Sequence, residues 1–346
     1  MRVGRNPAKA GIPAYSPRRL GVALLVYIPD QLGYFANTLE IFKIQVESLY
    51  KATPQGFDLL VFDNGSCPPV VQALQELHAA RRIDWLVLSR HNMGKAGAWN
   101  WIFSSMPNEL ICYADSDVLF RPGWLEASLQ ILEAFPHAGM VSAQPNFFDV
   151  LDGQGTAHQA LQGDDRFQFG EIRPQTAVVD EYCFGIGADQ ELSQRFHSQS
   201  LPYLRRVQSG LQAILGASHM QFIIPRQVAR QVAPLPASKG LLRTETISLD
   251  RKVDELGYLH LSALENYVFH MGNTFTERLL NELRQAGLDS PASLQAPASA
   301  SAGKTAALER KSLVQRSLSA LARRPQFYRW LERLYHLLFR VLYSGS

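Results

Sequence analysis

The sequence has no uninterrupted run of about twenty apolar residues, the length needed to cross a bilayer. Its early apolar stretch GVALLVYI, residues 21–28, is too short for that and reads as a strand. The first twenty residues are basic, with Pro and Gly but no long apolar core, so no secretory signal is expected. Cysteine is scarce: Cys67, Cys112 and Cys183 stand far apart, forming neither a zinc spacing nor an even disulfide set, which points to a reducing compartment. Neither G-x-x-x-x-G-K-[ST] nor G-x-G-x-x-G occurs, so a P-loop or a dinucleotide site has little support, and the lone GIG at residues 185–187 carries no signal. No internal repeat is visible.

What is present is a globular composition: 346 residues, 46% hydrophobic and 19% charged, enough for one large domain or two ordinary ones. The charge is unevenly placed. Residues 306–346 hold eight Lys or Arg against two acids, so the net +3 is a tail of +6 on a body of −3. A mildly acidic body argues against a nucleic-acid-binding core, and a basic tail meets something anionic. Within the tail, Arg329, Glu332, Arg333, His336 and Arg340 recur at helical spacing on an otherwise apolar, aromatic-rich stretch. That pattern suits an anionic membrane surface; the other reading is a helix docked on the main domain or a partner. The expected organisation is a basic arm over 1–20, a main domain over 21–285, a Pro/Ala/Ser linker over 286–305 and a basic amphipathic helical tail over 306–346. The expected location is cytoplasmic, peripheral on the inner face of the membrane.

The first half alternates short apolar runs with helical patterns. Strands are expected at 22–28, 57–62, 85–88, 110–114 and 139–143, with helices at 37–50, 68–80, 95–105 and 124–134. Repeated β-α units with short loops imply an α/β fold, a mostly parallel sheet flanked by helices. Residues 144–215 are less regular, and periodic signals return at 220–224, 247–256 and 267–270.

Three motifs carry chemistry. Asp115 and Asp117 follow the buried-looking run LICYA, flanking Ser116. In open α/β sheets ligands bind beyond the carboxyl ends of the strands, and two hard carboxylates there suit Mg²⁺ or Mn²⁺. Alone, the pair also reads as a solvated turn. VFDNGS ends another strand with Asp63, a carboxylate able to accept a hydrogen bond from a nucleobase N–H, or simply part of a turn. SRHNMGKAGAWNW, residues 89–101, opens a helix whose free N–H groups favour an anion, with Asn92, Gly94 and Lys95 at its start.

In this order and spacing the three motifs resemble the family 2 glycosyltransferases of GT-A fold, over residues 22 to about 280. The resemblance implies a nucleotide-diphosphate sugar donor, a divalent metal, Mn²⁺ or Mg²⁺, and inversion at the anomeric carbon. It divides the main domain into a nucleotide-sugar-binding half, 21–143, and an acceptor-side half, 144–285. It makes Asp63 the base-contacting acid, sets Asn92, Gly94, Lys95 and Asp115 around the donor, and makes Asp115 and Asp117 the D-x-D. ILGASHMQFIIPR, residues 214–226, resembles the family's acceptor-side segment, and YVFHMGN places His270 where a histidine completes the metal site.

The departure is at TETISLDRKVDELGY, residues 244–258. The family's catalytic aspartate falls on Thr246, which cannot serve as a carboxylate base. Glu245 and Asp250 are the nearest substitutes, with Asp180 and Glu181 behind them. The acceptor is expected to be a saccharide or a lipid-linked one. Two alternatives remain: a nucleotidyltransferase on a related sheet, and a non-catalytic nucleotide-sugar-binding protein that has lost its base.

Overall fold

The computed structural model describes residues 15–148, 159, 161, 163–236 and 244–288. All of them belong to one compact unit, Met1–Ser290. The basic arm up to residue 14, most of the linker and the tail expected over 306–346 lie outside the described residues.

The first half is built from β1 (Leu20–Val26), α1 (Thr38–Ala52), β2 (Asp58–Asp63), α2 (Pro68–Ala79), β3 (Trp85–Leu88), α3 (Gly94–Ser105) and β4 (Leu110–Asp115). These strands pair in parallel in the order β3-β2-β1-β4. Side chains alternate across each strand with period two. Val22, Leu24, Leu59, Val61, Cys112 and Ala114 face a core shared with Phe42 and Val46 of α1 and Val70 and Leu74 of α2. Ala23, Leu60, Phe62, Ile111 and Tyr113 face a second core with Trp99, Ile102 and Phe103 of α3. Covering on both faces is why β1, β2 and β4 read as near-continuous apolar runs rather than alternating ones.

The chain then forms β5 (Val118–Phe120), α4 (Trp124–Ala134) and β6 (Ala138–Ser142). The stretch that reads as irregular holds β7 (Phe167–Ile172), α5 (Thr176–Ile186), α6 (Gln190–Ser198), β8 (Leu201–Arg206) and β9 (Gln212–Leu215). It folds on a third core in which Phe147, Tyr182 and Phe196 meet, with ring centroids 4.7 to 5.8 Å apart. After it come β10 (Gln221–Pro225), α7 (Arg226–Val232), α8 (Thr244–Glu255), β11 (Leu259–Ser262), β12 (Val268–His270) and α9 (Glu277–Gln285).

The whole forms a ten-stranded sheet, β3-β2-β1-β4-β10-β6-β11-β9-β8-β7, and a two-stranded sheet, β12-β5. β10, β9 and β7 run against the other strands of the large sheet. The expected α/β architecture is therefore the observed one. Two features set up the site. β4, β6 and β11 point their carboxyl ends the same way, and β12 lies antiparallel on β5 so that His270 sits across from Val118, next to Asp117.

Candidate active site

At the end of β2, Asp63 turns its carboxylate onto its own loop. It accepts backbone N–H groups from Ser66 at 3.1 and 3.3 Å and from Gly65 at 3.4 Å, and the residue is only 1% exposed. The group expected to meet a nucleobase is engaged in holding the DNGS turn. That turn is tied to the start of α3. Asn64 donates to Asn92 Oδ1 (3.0 Å) and accepts from Met93 N–H (2.8 Å), and Asn92 Oδ1 also accepts from Gly94 N–H (2.8 Å). Gly65 has φ +94°, and a Cβ there would sit 3.2 Å from the backbone of His91 and Asn92, so both the turn and the close approach call for glycine. Asn92 and Gly94 thus brace the helix mouth.

Lys95, one residue into α3, reaches across to the end of β4. Its Nζ lies 2.8 Å from Asp115 Oδ1 and 2.9 Å from Oδ2, and it donates to the His219 carbonyl at 3.2 Å. Tyr113 donates its hydroxyl to Asp115 Oδ1 at 2.5 Å. Burial first, and then the Asp115 carboxylate, push the Tyr113 phenol well above its ordinary range, so it stays a donor. The Asp115 backbone is fixed too: its carbonyl accepts from Gln45 Nε2 (2.6 Å), and its N–H donates to the Met220 carbonyl (2.9 Å).

Asp117 has a different partner. β4 ends at Asp115, and the chain turns before β5. Asp117 Oδ2 lies 3.0 Å from His270 Nε2, and the Met271 N–H donates to the Asp117 carbonyl at 2.8 Å. Burial lowers the basicity of His270, but the Asp117 carboxylate outweighs it and raises the imidazole to about 9. The other ring nitrogen, Nδ1, donates to the Gly185 carbonyl. A Cβ at Gly185 would fall 2.7 Å from His270 Cβ, so α5 can approach β12 only because residue 185 is glycine. The GIG that carries no signal in the sequence is therefore the seat of His270. The expected set of Asp115, Asp117 and His270 divides into a Lys95–Asp115 pair and an Asp117–His270 pair. Among the described residues no cluster of three or more His, Cys, Asp or Glu is poised to hold a metal.

Beyond these pairs opens a cavity of about 670 Å³, lined by Lys95, Asp115 and His270 on one side and by Glu245, Thr246 and Asp250 of α8 on the other. That volume suits a small-molecule ligand. Glu245 makes no hydrogen bond or ion pair among the described residues. Asp250 makes two: Oδ1 lies 2.8 Å from His219 Nε2 and 3.1 Å from His260 Nδ1. Burial opposes its ionisation, yet the two imidazoles outweigh burial and hold its carboxyl well below the usual carboxylate range. A carboxylate so held is a poor proton acceptor. The reserve candidates are engaged as well. Asp180 lies 2.9 Å from His197, and Glu181 is bound bidentately by Arg121 at 2.8 and 2.9 Å. Sequence reasoning missed His219 and His260; the only signal was a histidine inside the acceptor-side segment GASHM.

The family model described as Glycosyl transferase family 2 matches residues 37–229. No curated protein sequence matches the chain. Among solved structures, the chain is similar to TarS 1–349 of S. aureus, at 16% identity and TM-score 0.29, covering 37% of this chain and 36% of that one. The chain thus spans about a third of that structure's length. It is also similar to the same protein in complex with UDP-GlcNAc, at 11% identity and TM-score 0.41, covering 78% and 65%. A mannosyltransferase of Pyrobaculum calidifontis, PcManGT, in complex with GDP-Man and Mn²⁺, is 14% identical with TM-score 0.45, covering 96% and 89%. Since the family match takes in more than half of the chain, this protein belongs to glycosyl transferase family 2.

Proposed function

We propose that the enzyme moves a sugar from a nucleotide-diphosphate sugar to an acceptor hydroxyl with inversion, with Mn²⁺ or Mg²⁺ at the diphosphate. The observation that carries the reading is the convergence of Lys95, Asp115 and His270 on one wall of a cavity whose other wall is α8. Of the alternatives, the nucleotidyltransferase loses support from the family match.

The residues fit a divalent cation at one place. Asp117 Oδ2 and His270 Nε2 are 3.0 Å apart. Adjacent ligands of an octahedral ion, each at about 2.1 Å, are separated by about 3.0 Å. His270 already commits Nδ1 to Gly185, which leaves Nε2 for a ligand once its proton is displaced. Asp117 and His270 would hold the ion, which would supply charge neutralisation at the departing diphosphate.

The chain's own residues do the rest. Lys95, anchored by Asp115, brings a fixed positive charge to the same region, where charge grows as the nucleoside diphosphate leaves. Tyr113 and Gln45 keep Asp115 from swinging away. Asn64 and Asn92 brace the helix mouth beside it. The acceptor, a saccharide or a lipid-linked one, enters from the α8 side, and its hydroxyl proton passes to a base that lines the cavity.

UDP- and GDP-sugars are the first donors to test, because the similar structures hold UDP-GlcNAc and GDP-Man. With Mn²⁺ and the right donor, nucleoside diphosphate is the expected product. Release of pyrophosphate would point to nucleotidyl transfer. Mn²⁺-dependent donor binding with no turnover over a broad acceptor panel would favour the non-catalytic alternative.

No helix among the described residues is long and apolar enough to cross a membrane. The basic stripe in the sequence of residues 306–346 supports peripheral attachment on the inner face of the membrane, where each basic residue near an anionic surface contributes about 1 kcal/mol. Full-length protein is expected to sediment with phosphatidylserine vesicles at low salt, and a chain ending at residue 305 is not. Equal sedimentation of the two assigns the tail another role.

A further inference from the structure

We propose that His219, oriented by Asp250, takes the proton of the acceptor hydroxyl in place of the aspartate that Thr246 replaces. The inference rests on the transferase reading above. His219 lies in the turn between β9 and β10 and lines the cavity together with Lys95 and Asp115. Asp250 is ionised, so both imidazoles that touch its Oδ1 must donate: His219 through Nε2–H at 2.8 Å and His260 through Nδ1–H at 3.1 Å. In the neutral His219 ring this places the proton on Nε2 and the lone pair on Nδ1. Among the described residues Nδ1 has no hydrogen-bond partner. Two imidazoles on one carboxylate also hold the ring in place.

The backbone of the same turn is anchored to the donor side. The His219 carbonyl receives Lys95 Nζ at 3.2 Å, and the next carbonyl, of Met220, receives the Asp115 N–H at 2.9 Å. The imidazole is therefore positioned by the same contacts that position the charges around the diphosphate. Glu245, the other candidate, sits in the first turn of α8, and among the described residues no hydrogen bond holds its carboxylate. A preorganised base loses less freedom on reaching the reactive geometry than a freely rotating one.

In the step, the acceptor O–H proton passes to His219 Nδ1 while the oxygen's electron pair forms the new bond to the anomeric carbon. The bond from that carbon to the diphosphate oxygen breaks, and its electron pair leaves with the nucleoside diphosphate. Asp250 stabilises the imidazolium and is itself a positioning residue.

The test uses the full chain with Mn²⁺ and whichever of UDP-GlcNAc or GDP-mannose gives release of nucleoside diphosphate, water serving as acceptor. His219→Ala is expected to lower turnover by roughly 10²–10⁴-fold, the range for a general base. Nucleoside-diphosphate affinity should be unchanged, and added free imidazole should restore part of the rate. Asp250→Asn should lower turnover less. ¹⁵N NMR should find His219 as the Nε2–H tautomer in the wild type and as a mixture in Asp250→Asn. Wild-type-like turnover in His219→Ala overturns the proposal, as does an Nδ1–H tautomer. A loss confined to Glu245→Gln overturns it in favour of that carboxylate. A wild-type protein that releases no nucleoside diphosphate from any nucleotide sugar removes the transferase reading itself, a failure distinct from normal turnover in the variant.

Discussion

Asp117→Asn is expected to abolish Mn²⁺-dependent binding of nucleoside diphosphates, measured by calorimetry, while the protein stays folded. The carboxylate lies 3.0 Å from His270 Nε2 on β12, a spacing that matches adjacent ligands of a divalent ion. Asparagine keeps the shape and offers a carbonyl oxygen, but it removes the negative charge that makes the position attractive to a hard cation. Loss of an outer-shell partner typically costs 10–100-fold in metal affinity, so loss of a direct ligand should exceed about 100-fold. His270→Ala should weaken the same binding less, since Asp117 and the diphosphate oxygens still offer hard ligands. Asp115→Asn separates the two pairs: it should weaken binding by releasing Lys95 while retaining dependence on Mn²⁺. Mn²⁺-dependent binding that is unchanged in Asp117→Asn would exclude this residue as a ligand of the proposed ion.

How much of this was legible depended on sequence distance. The strand LICYA and its two aspartates could be read directly, because a short apolar run closed by carboxylates is a local signal. The helices on both faces were legible for the same reason. That Asp115 and Asp117 would take different partners was not, because it depends on β4 ending between them and on β12 arriving from about 150 residues away to pair with β5. Gly185 was invisible for a similar reason: it meets His270 across 85 positions of sequence, and only the packed structure shows that its missing side chain is what lets the two approach. His219 and Asp250 are 31 positions apart, on a turn and a helix, and no periodicity links them. The 144–215 segment read as irregular because its core is an aromatic cluster, Phe147 with Tyr182 and Phe196, rather than one long amphipathic stripe. The α5 pattern was nonetheless there: Val178, Val179, Tyr182 and Cys183 are its buried face.

The second large effect is expected at Arg121, just after β5. Its guanidinium binds Glu181 bidentately at 2.8 and 2.9 Å, Glu282 at 2.7 Å and the Asn266 carbonyl at 2.9 Å. The three side chains are only 23%, 15% and 16% exposed. Burial disfavours the charged guanidinium, but the two carboxylates outweigh it and raise the Arg121 pKa above its ordinary value. Arg121→Met keeps much of the apolar stem and deletes the charge, leaving two carboxylates facing each other without a cation. Breaking a buried pair by removing one partner costs roughly 3–5 kcal/mol. Partial solvation brings the expectation here to about 3 kcal/mol in urea unfolding with unchanged m-value. If the cost is the stranded charge rather than lost packing, then Arg121→Met combined with Glu181→Gln and Glu282→Gln should recover more than half of it. A loss below about 1 kcal/mol in the single variant would mean that solvent already screens the clamp. The clamp also bears on the site. Glu181 lies on α5, the helix that carries Gly185 and so seats His270. Loosening α5 should therefore weaken Mn²⁺-dependent nucleotide binding together with stability, although Arg121 itself does not line the cavity.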